Sequence, residues 1–307
     1  MDLIRIFKNI LGKNDSADSI KSLSVELTET GSLSEKISEV QAEAILSLTI
    51  KGHINGDDLS YLHSHFTSLT KLDLTEAILD GGKFLCAKHK NFYEFAPNEL
   101  AGHTLHIGNL REVVLPESVE NVVVSSFADV DFGACSDRSE FTRMSGAFSG
   151  TLECITVPAG NKHYSSYDGM LFDKAQTTLL KCPLAHSHEV AFPSSLKTIN
   201  ANAFRECGKI REIEVPQGVT TVGEKAFYEC DSLVKLSFPA STTTIDDDAF
   251  AHCYNLTTLV CEAEKPVPIV INRSSSVEKC LLKVPSGSEK EYGSAPYWSE
   301  FRRITSI

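Results

Sequence analysis

Apolar and polar positions recur at a fixed interval along the second half of the chain. The dipeptides Ala203-Phe204, Ala226-Phe227 and Ala249-Phe250 stand 23 positions apart, and Cys207, Cys230 and Cys253 keep the same step, as do Pro193, Pro216 and Pro239. Three unrelated residue types in one register define a repeat unit. Counted from each proline, apolar residues fall at plus six (Ile199, Val222, Ile245), plus seventeen (Ile210, Leu233, Leu256), plus twenty (Ile213, Leu236, Leu259) and plus twenty-two (Val215, Phe238, Cys261). The last part of this L-x-x-L-x-L pattern alternates with period two. It predicts short strands at Glu212 to Val215 and Lys235 to Phe238, each with one buried and one exposed face. A coil of this length cannot enclose its own apolar side, so the coils must stack.

A weaker copy, Pro116, Val119, Val122 and Phe127, repeats the proline, plus-three, plus-six and plus-eleven positions, with a matching strand at Leu110 to Leu115 before it. Further strands are predicted at Leu46 to Ile50, Leu69 to Leu74, Leu152 to Val157, Glu189 to Phe192 and Leu281 to Val284. With the three strong repeats this makes about nine coils, and eight steps of ~4.8 Å give a ladder on the order of 40 Å.

The pattern A-F-x-x-C-x-x-L-x-x-L-x-x-P, read here as Ala226-Phe227, Cys230, Leu233, Leu236 and Pro239 with Val219, Val222 and Gly223 before it, resembles the BspA-type leucine-rich repeats of anaerobic oral and gut bacteria. The match is densest over 188 to 261 and extends from about 22 to 307. The passage Tyr164 to Pro183, with its Asp168-Gly169 turn, and the ending from Val284-Pro285 through Tyr292 and Trp298 to Phe301 also look familial. The resemblance implies a β-rich leucine-rich-repeat solenoid, and together with the general handedness of parallel crossovers it implies a right-handed superhelix of about 23-residue coils with short helical or turn pieces on its convex side. Members of the family are usually surface-exposed or secreted and associated with adhesion, which implies a protein or cell-surface partner.

The expected organisation is an amphipathic helix and linker over 1–21 and a solenoid over 22–307. Insertions near 75–104 and 128–146 interrupt the period and should leave the solenoid as loops or add-on hairpins, and a C-terminal cap is expected near 284–307. Leu3, Ile4, Phe7, Ile10 and Leu11 have the helical spacing of a capping stripe, with attachment to a membrane surface, helped by Arg5, Lys8 and Lys13, as the other reading. Tyr292, Tyr297, Trp298 and Phe301 are expected to close the other end.

Composition narrows the partner. Hydrophobic residues at 42% and charged residues at 23% belong to a folded globular chain. A formal net charge of -12, with no run of Lys and Arg, argues against nucleic acid. Asp2, Arg5 and Lys8 within Met1 to Leu11 do not suit a secretory signal, which points to the cytoplasm, whereas the family resemblance points to the cell surface. The nine cysteines form no C-x-x-C pair and read as mostly free thiols.

Several constellations of reactive side chains also have plainer roles. In the column Cys207, Cys230 and Cys253 a bridge is conceivable by distance, but small buried side chains packing like hydrophobes is the favoured reading. The pairs His63 and His65, His103 and His106, and His186 and His188 invite a metal, because a spacing of two on a strand places both imidazoles on one face. Without Cys, Asp or Glu in a ligand pattern they read as solvated or turn histidines. Asp246, Asp247 and Asp248 lack calcium-loop spacing and read as a turn. No phosphate loop, dinucleotide fingerprint, nucleophile elbow or H-E-x-x-H occurs, so neither catalysis nor a cofactor is expected.

Binding is therefore expected on the exposed strand positions, Lys71, Asp73, Glu112, Val114, Thr156, Glu212, Glu214, Lys235, Ser237, Thr258 and Val260, a face without aromatic anchors. Phe92, Tyr93 and Phe95 supply aromatic rings in the first insertion, either as anchors or as a satellite core beneath the loop. The second insertion, with Asp129, Asp131, Asp137 and Glu140, is an acidic patch or a solvated loop. The expected function is a monomeric, non-enzymatic protein-binding scaffold for adhesion or cell-surface interaction, with an intracellular scaffold and a carbohydrate-binding module as alternatives.

Overall fold

The structure, a computed structural model, describes residues 21–86, 90–100, 103–107, 109–123, 150–187, 189–270 and 277–307. The N-terminal stripe from Leu3 to Leu11, Phe127, the acidic insertion at 128–146 and His188 lie outside these residues.

Short parallel strands dominate, as the alternation predicts. In the repeat half, Glu212–Glu214, Lys235–Phe238, Thr258–Cys261, Leu281–Val284 and Arg303–Ser306 form one parallel sheet. Its register sets Glu212 opposite Lys235, Lys235 opposite Thr258 and Thr258 opposite Leu281, a constant step of 23 positions. A second row of two-residue strands, Thr198–Ile199, Thr221–Val222 and Thr244–Ile245, pairs with the same step. Each coil thus meets its neighbour twice, and the buried residue of each strand (Ile213, Leu236, Leu259; Ile199, Val222, Ile245) points between the rows into one apolar cluster.

The turn that follows the second row carries the Ala-Phe motif. Phe204 and Phe227 stack at 5.2 Å and 16°, and Phe238 lies 6.2 Å from Phe227 and 6.1 Å from Phe250. A third backbone ladder runs here between coils: Phe204 N–H donates to Ala226 O at 2.7 Å and Phe227 N–H to Ala249 O at 2.6 Å. The cysteine column is buried, and its thiols donate to carbonyls of the preceding coil, Cys230 to Phe204 O at 3.1 Å and Cys253 to Phe227 O at 3.0 Å. Gly223 is required by close approach, because a Cβ there would stand 2.5 Å from Ala201 N and 2.9 Å from Asn200 C.

In the first half, Ser22–Leu27, Ser47–Asn55, Lys71–Asp73, Glu112–Val114 and Cys154–Thr156 pair in parallel. Lys71 opposes Glu112 and Glu112 opposes Cys154, steps of 41 and 42 positions, so the chain leaves the ladder and returns to it in the same register. The first departure builds the Ala77–Cys86 strand, whose start continues beside Ser47–Asn55, and the antiparallel Asn91–Phe95 strand. The add-on hairpin expected near 75–104 is therefore partly woven into the main sheet. Gly56–His65 forms a helix between ladder strands, capped by Asn55, whose side chain accepts from Asp57 and Asp58 N–H.

The two apolar clusters meet at Met170–Asp173. Leu171 belongs to the N-terminal cluster, whereas Met170 and Phe172 belong to the C-terminal one, the two faces of a single strand. This strand pairs antiparallel with Tyr164–Tyr167 around Asp168 (φ 51°) and Gly169 (φ 72°), a turn with both central residues left-handed. Just before it, Asn161 is fully buried. Its side-chain amide donates to Val119 O at 2.9 Å and Glu117 O at 3.1 Å, and its Oδ1 accepts from His163 N–H at 2.8 Å and Tyr164 N–H at 2.7 Å.

One predicted strand is absent. Glu189 to Phe192 is not extended into a ladder, because the step from Thr178 to its partner Thr198 is 20 positions and the shortened coil has no length for a face strand. The Ala191 N–H donates to the Asp168 carboxylate at 2.8 Å instead. The face ladder is consequently two sheets rather than the single one expected. At the C-terminal end Tyr292, Trp298 and Phe301 are buried, and Trp298 Nε1 donates to Val267 O at 2.7 Å.

Two measurements check this packing. Gly223→Ala should lower stability by about 1 to 3 kcal/mol, since backbone rather than a flexible side chain must yield; an unchanged urea midpoint would contradict the close approach. Of the eight described cysteines only Cys154 is not buried, while burial pushes Cys280 up to about 12. Alkylation of the native chain at pH 8, followed by mass spectrometry, should therefore modify Cys154 ahead of the other seven. Early labelling of Cys230 or Cys253 would show the column to be open.

Candidate binding surface

Period-two alternation places most of the predicted face residues outward, but on two sheets; the expectation for Val260 is corrected, since it is buried, flanked in the register by Ser237 and Lys283. Lys71, Asp73 and Glu112 lie on the N-terminal sheet, and Glu212, Glu214 and Lys235 on the C-terminal one. Much of their charge is already matched. Lys71 Nζ is 3.0 Å from Glu112 Oε2, across the register pair, and Lys235 Nζ is 2.6 Å from Glu214 Oε1. The hydrogen bonds that the lysines donate to these carboxylates raise both lysines above their ordinary range. Pairs this exposed contribute at most about 1 kcal/mol each, so they set the pattern of the face more than its stability. Asp73 caps its own turn, accepting from Thr75 N–H at 2.9 Å and Thr75 Oγ1 at 2.7 Å. At the break between the sheets Glu153 lies 3.6 Å from Arg111 and 3.9 Å from Lys209, so ion pairs bridge the two faces where the backbone ladder does not.

The hairpin divides its three aromatic residues. Phe92 is 67% exposed, whereas Tyr93 is 3% and Phe95 4% exposed. Tyr93 packs 6.0 Å from Phe84 and 4.6 Å from His103, and Phe95 packs 6.0 Å from Phe84. The expectation that Tyr93 meets a partner is corrected by this alternation: next to an outward Phe92, Tyr93 must point into the satellite core.

The histidines separate likewise. His63 and His65 lie on the Gly56–His65 helix rather than a strand, so a spacing of two sends them to different sides. His63 packs 5.0 Å from Phe84, and His65 lies 4.5 Å from Tyr61. His103 and His106 do meet, with ring nitrogens 3.0 Å apart, and His186 is buried 3.8 Å from Asp168. Asp246 to Asp248 form the expected turn, with Asp248 left-handed at φ 55°. An open cleft of about 420 Å³ lies between successive corner turns, lined by Ile78, Glu117, Glu120, Lys162 and His163 among others. Its mixed charges give it no single preference.

The repeat signature extends beyond its own spacing to known sequences: residues 181–272 match the BspA type leucine rich repeat region, in six copies. This stretch consists of BspA-type leucine-rich repeats. No curated protein matches the chain. Among solved structures it is similar to a leucine-rich repeat protein from Eubacterium ventriosum, at 18% identity over 86% of this chain and 73% of that one, with a TM-score of 0.46. It is also similar to a leucine rich cell surface protein from Faecalibacterium prausnitzii, at 17% identity over 88% and 62% with a TM-score of 0.47. The pneumococcal vaccine antigen PcpA is similar at 15% identity over 94% and 79%, with a TM-score of 0.45.

Within the BspA-type repeats one row of turn residues escaped the sequence reading, with Arg205 and Ala251 buried, Tyr228 and His252 half-buried and Tyr254 exposed. The positions just after each Ala-Phe pair are Arg205, Tyr228 and Ala251, in the same 23-residue register, and His252 and Tyr254 follow. Arg205 Cζ lies 4.7 Å above the Tyr228 ring, Tyr228 and His252 are 4.7 Å apart, and His252 Nδ1 is 2.6 Å from the Tyr254 hydroxyl. The column could be located by its register. Because its residue types vary from coil to coil, nothing in the pattern marks it as more than a turn.

Replacing Tyr93 by Ala should cost about 3 kcal/mol through lost core packing, whereas Phe92→Ala should leave the thermal midpoint unchanged within error. Equal effects on stability would mean that the hairpin is not alternating as described.

Proposed function

We propose that the chain is a non-enzymatic repeat scaffold that binds a protein partner, in an adhesive or cell-surface setting, through the exposed faces of its parallel sheets. Residues 22–307 act in this reading as one right-handed solenoid of about 23-residue coils, working as a monomer. The observation that carries it is the division of labour along each strand. On these strands alternate residues are committed to the core, while Lys71 and Glu112 on one sheet and Glu212, Glu214 and Lys235 on the other form an outward display that the core does not need. A display built from short strands on a packed core is rigid, so little ordering is required on binding. Its charge is uneven along the C-terminal sheet: on the first two strands Glu212 and Glu214 face Lys235, which favours a partner with a basic patch there, while Lys283 and Arg303 lie at the far end.

The test uses the purified chain as bait in host and bacterial extracts, beside a copy carrying Glu212→Lys, Glu214→Lys and Lys235→Glu whose folding is verified by circular dichroism. The partner should bind the charge-reversed copy at least tenfold more weakly. A partner held equally by both copies would remove the strand face from the binding surface.

A further inference from the structure

We infer that the turn row of the BspA-type repeats carries a second docking surface, centred on Tyr228, His252 and Tyr254, which takes an arginine-bearing segment of a protein partner. This inference rests on the protein-binding reading above but places the anchor elsewhere. Tyr254 is 56% exposed, and its ring lies 5.6 Å from His252 at 88°, edge to face. With Tyr228 it makes a run of three rings across two coils, held by the His252 to Tyr254 hydrogen bond. Rings held in this way bind with little loss of side-chain freedom.

The chemistry of the occupant is indicated by what already sits there. Two cations of the chain use the Tyr228 face, Arg205 at 4.7 Å and Lys225 at 5.8 Å from its centroid. They do so among an excess of carboxylates. Arg205 lies 3.0 Å from Glu206 and 3.7 Å from Glu229, and Lys225 lies 3.5 Å from Glu224. Asp246 and Asp247 are exposed on the next coil, and the Lys225 N–H donates to Asp247 O, which places that coil's acidic turn beside the rings. Three carboxylates therefore pair with the two cations, and two more are exposed on the adjoining turn. An incoming guanidinium would repeat on Tyr254 the stacking that Arg205 makes on Tyr228, next to the turn of the exposed Asp231, whose carbonyl accepts from the Asn255 amide at 2.6 Å. The strand faces have charge but no rings, and Phe92 has a ring beside the matched pair Lys83 and Glu94; the turn row joins both features.

The experiment titrates the full chain with a fluorescein-labelled hexa-arginine peptide at 0.15 M salt, with a hexa-glutamate peptide as the control. Binding of hexa-arginine alone is expected, weakened at least fivefold by Tyr254→Ala and less than twofold by Tyr254→Phe, which keeps the ring. The double variant Glu212→Gln, Glu214→Gln should change it less than twofold. If hexa-arginine does not bind, or binds Tyr254→Ala as well as the parent chain, the proposal is overturned. Weakening by the Glu212 and Glu214 variant alone would also overturn it and would leave the strand-face reading standing. Because Tyr254 is at the surface, circular dichroism and thermal melting of Tyr254→Ala should match the parent.

Discussion

No coil of this chain has an inside of its own, and the rest of the structure follows from that. A coil of 23 residues with two short strands and one tight turn leaves its apolar residues on an open end, and only the next coil covers them. Registry between coils is held by three sets of backbone hydrogen bonds, along the face strands, the two-residue strands and the Ala-Phe turns. Because these ladders tolerate no slip, a residue type that suits one coil suits the same place in the next. The phenylalanine and cysteine columns arise in this way: each Phe meets Phe, and each thiol reaches the carbonyl of the preceding coil. Insertions obey the same rule, and the chain between Asp73 and Glu112 returns to the register it left.

Where the step length changes, the surface changes with it. Shortening one coil to 20 positions removes a face strand and leaves the chain with two faces instead of one. Glu153 then carries electrostatic continuity across the gap through Arg111 and Lys209. The strand face is thus segmented into an N-terminal and a C-terminal part, a division that originates in backbone geometry rather than in the choice of surface residues.

The turn row shows what the ladder costs. Asn202, Lys225 and Asp248, and four residues later Glu206, Glu229 and His252, all adopt left-handed backbone at φ between 54° and 61°. Each such residue costs about 1 kcal/mol. The expense is offset by N–H groups aimed at the following coil, as from Asn202 to Glu224 O, Lys225 to Asp247 O and Glu229 to Ala251 O. Between these left-handed residues the Ala-Phe pairs point into the core, and Arg205 is buried against the half-buried Tyr228, which also meets His252. A structural requirement of stacking therefore creates an ordered side-chain row available for recognition.

Periodicity by itself determined the parallel strands, their 23-residue step between Thr198 and Leu281, the buried columns at Phe204, Phe227 and Phe250 and at Cys207, Cys230 and Cys253, and the alternation that turns Glu212 and Lys235 outward. These follow from local rules repeated at a fixed interval, and each copy restates the others. The tertiary structure decided what happens once. The Gly56–His65 helix, the missing strand at Glu189 to Phe192, the weaving of Ala77–Cys86 into the main sheet and the burial of Tyr93 occur at single places with no second copy to read. Their outcome depends on which distant residues supply the other wall: Phe84 and His103 for Tyr93, Asp168 for the Ala191 N–H. Contacts between residues far apart in the chain leave no periodic trace, so only the folded chain could place them.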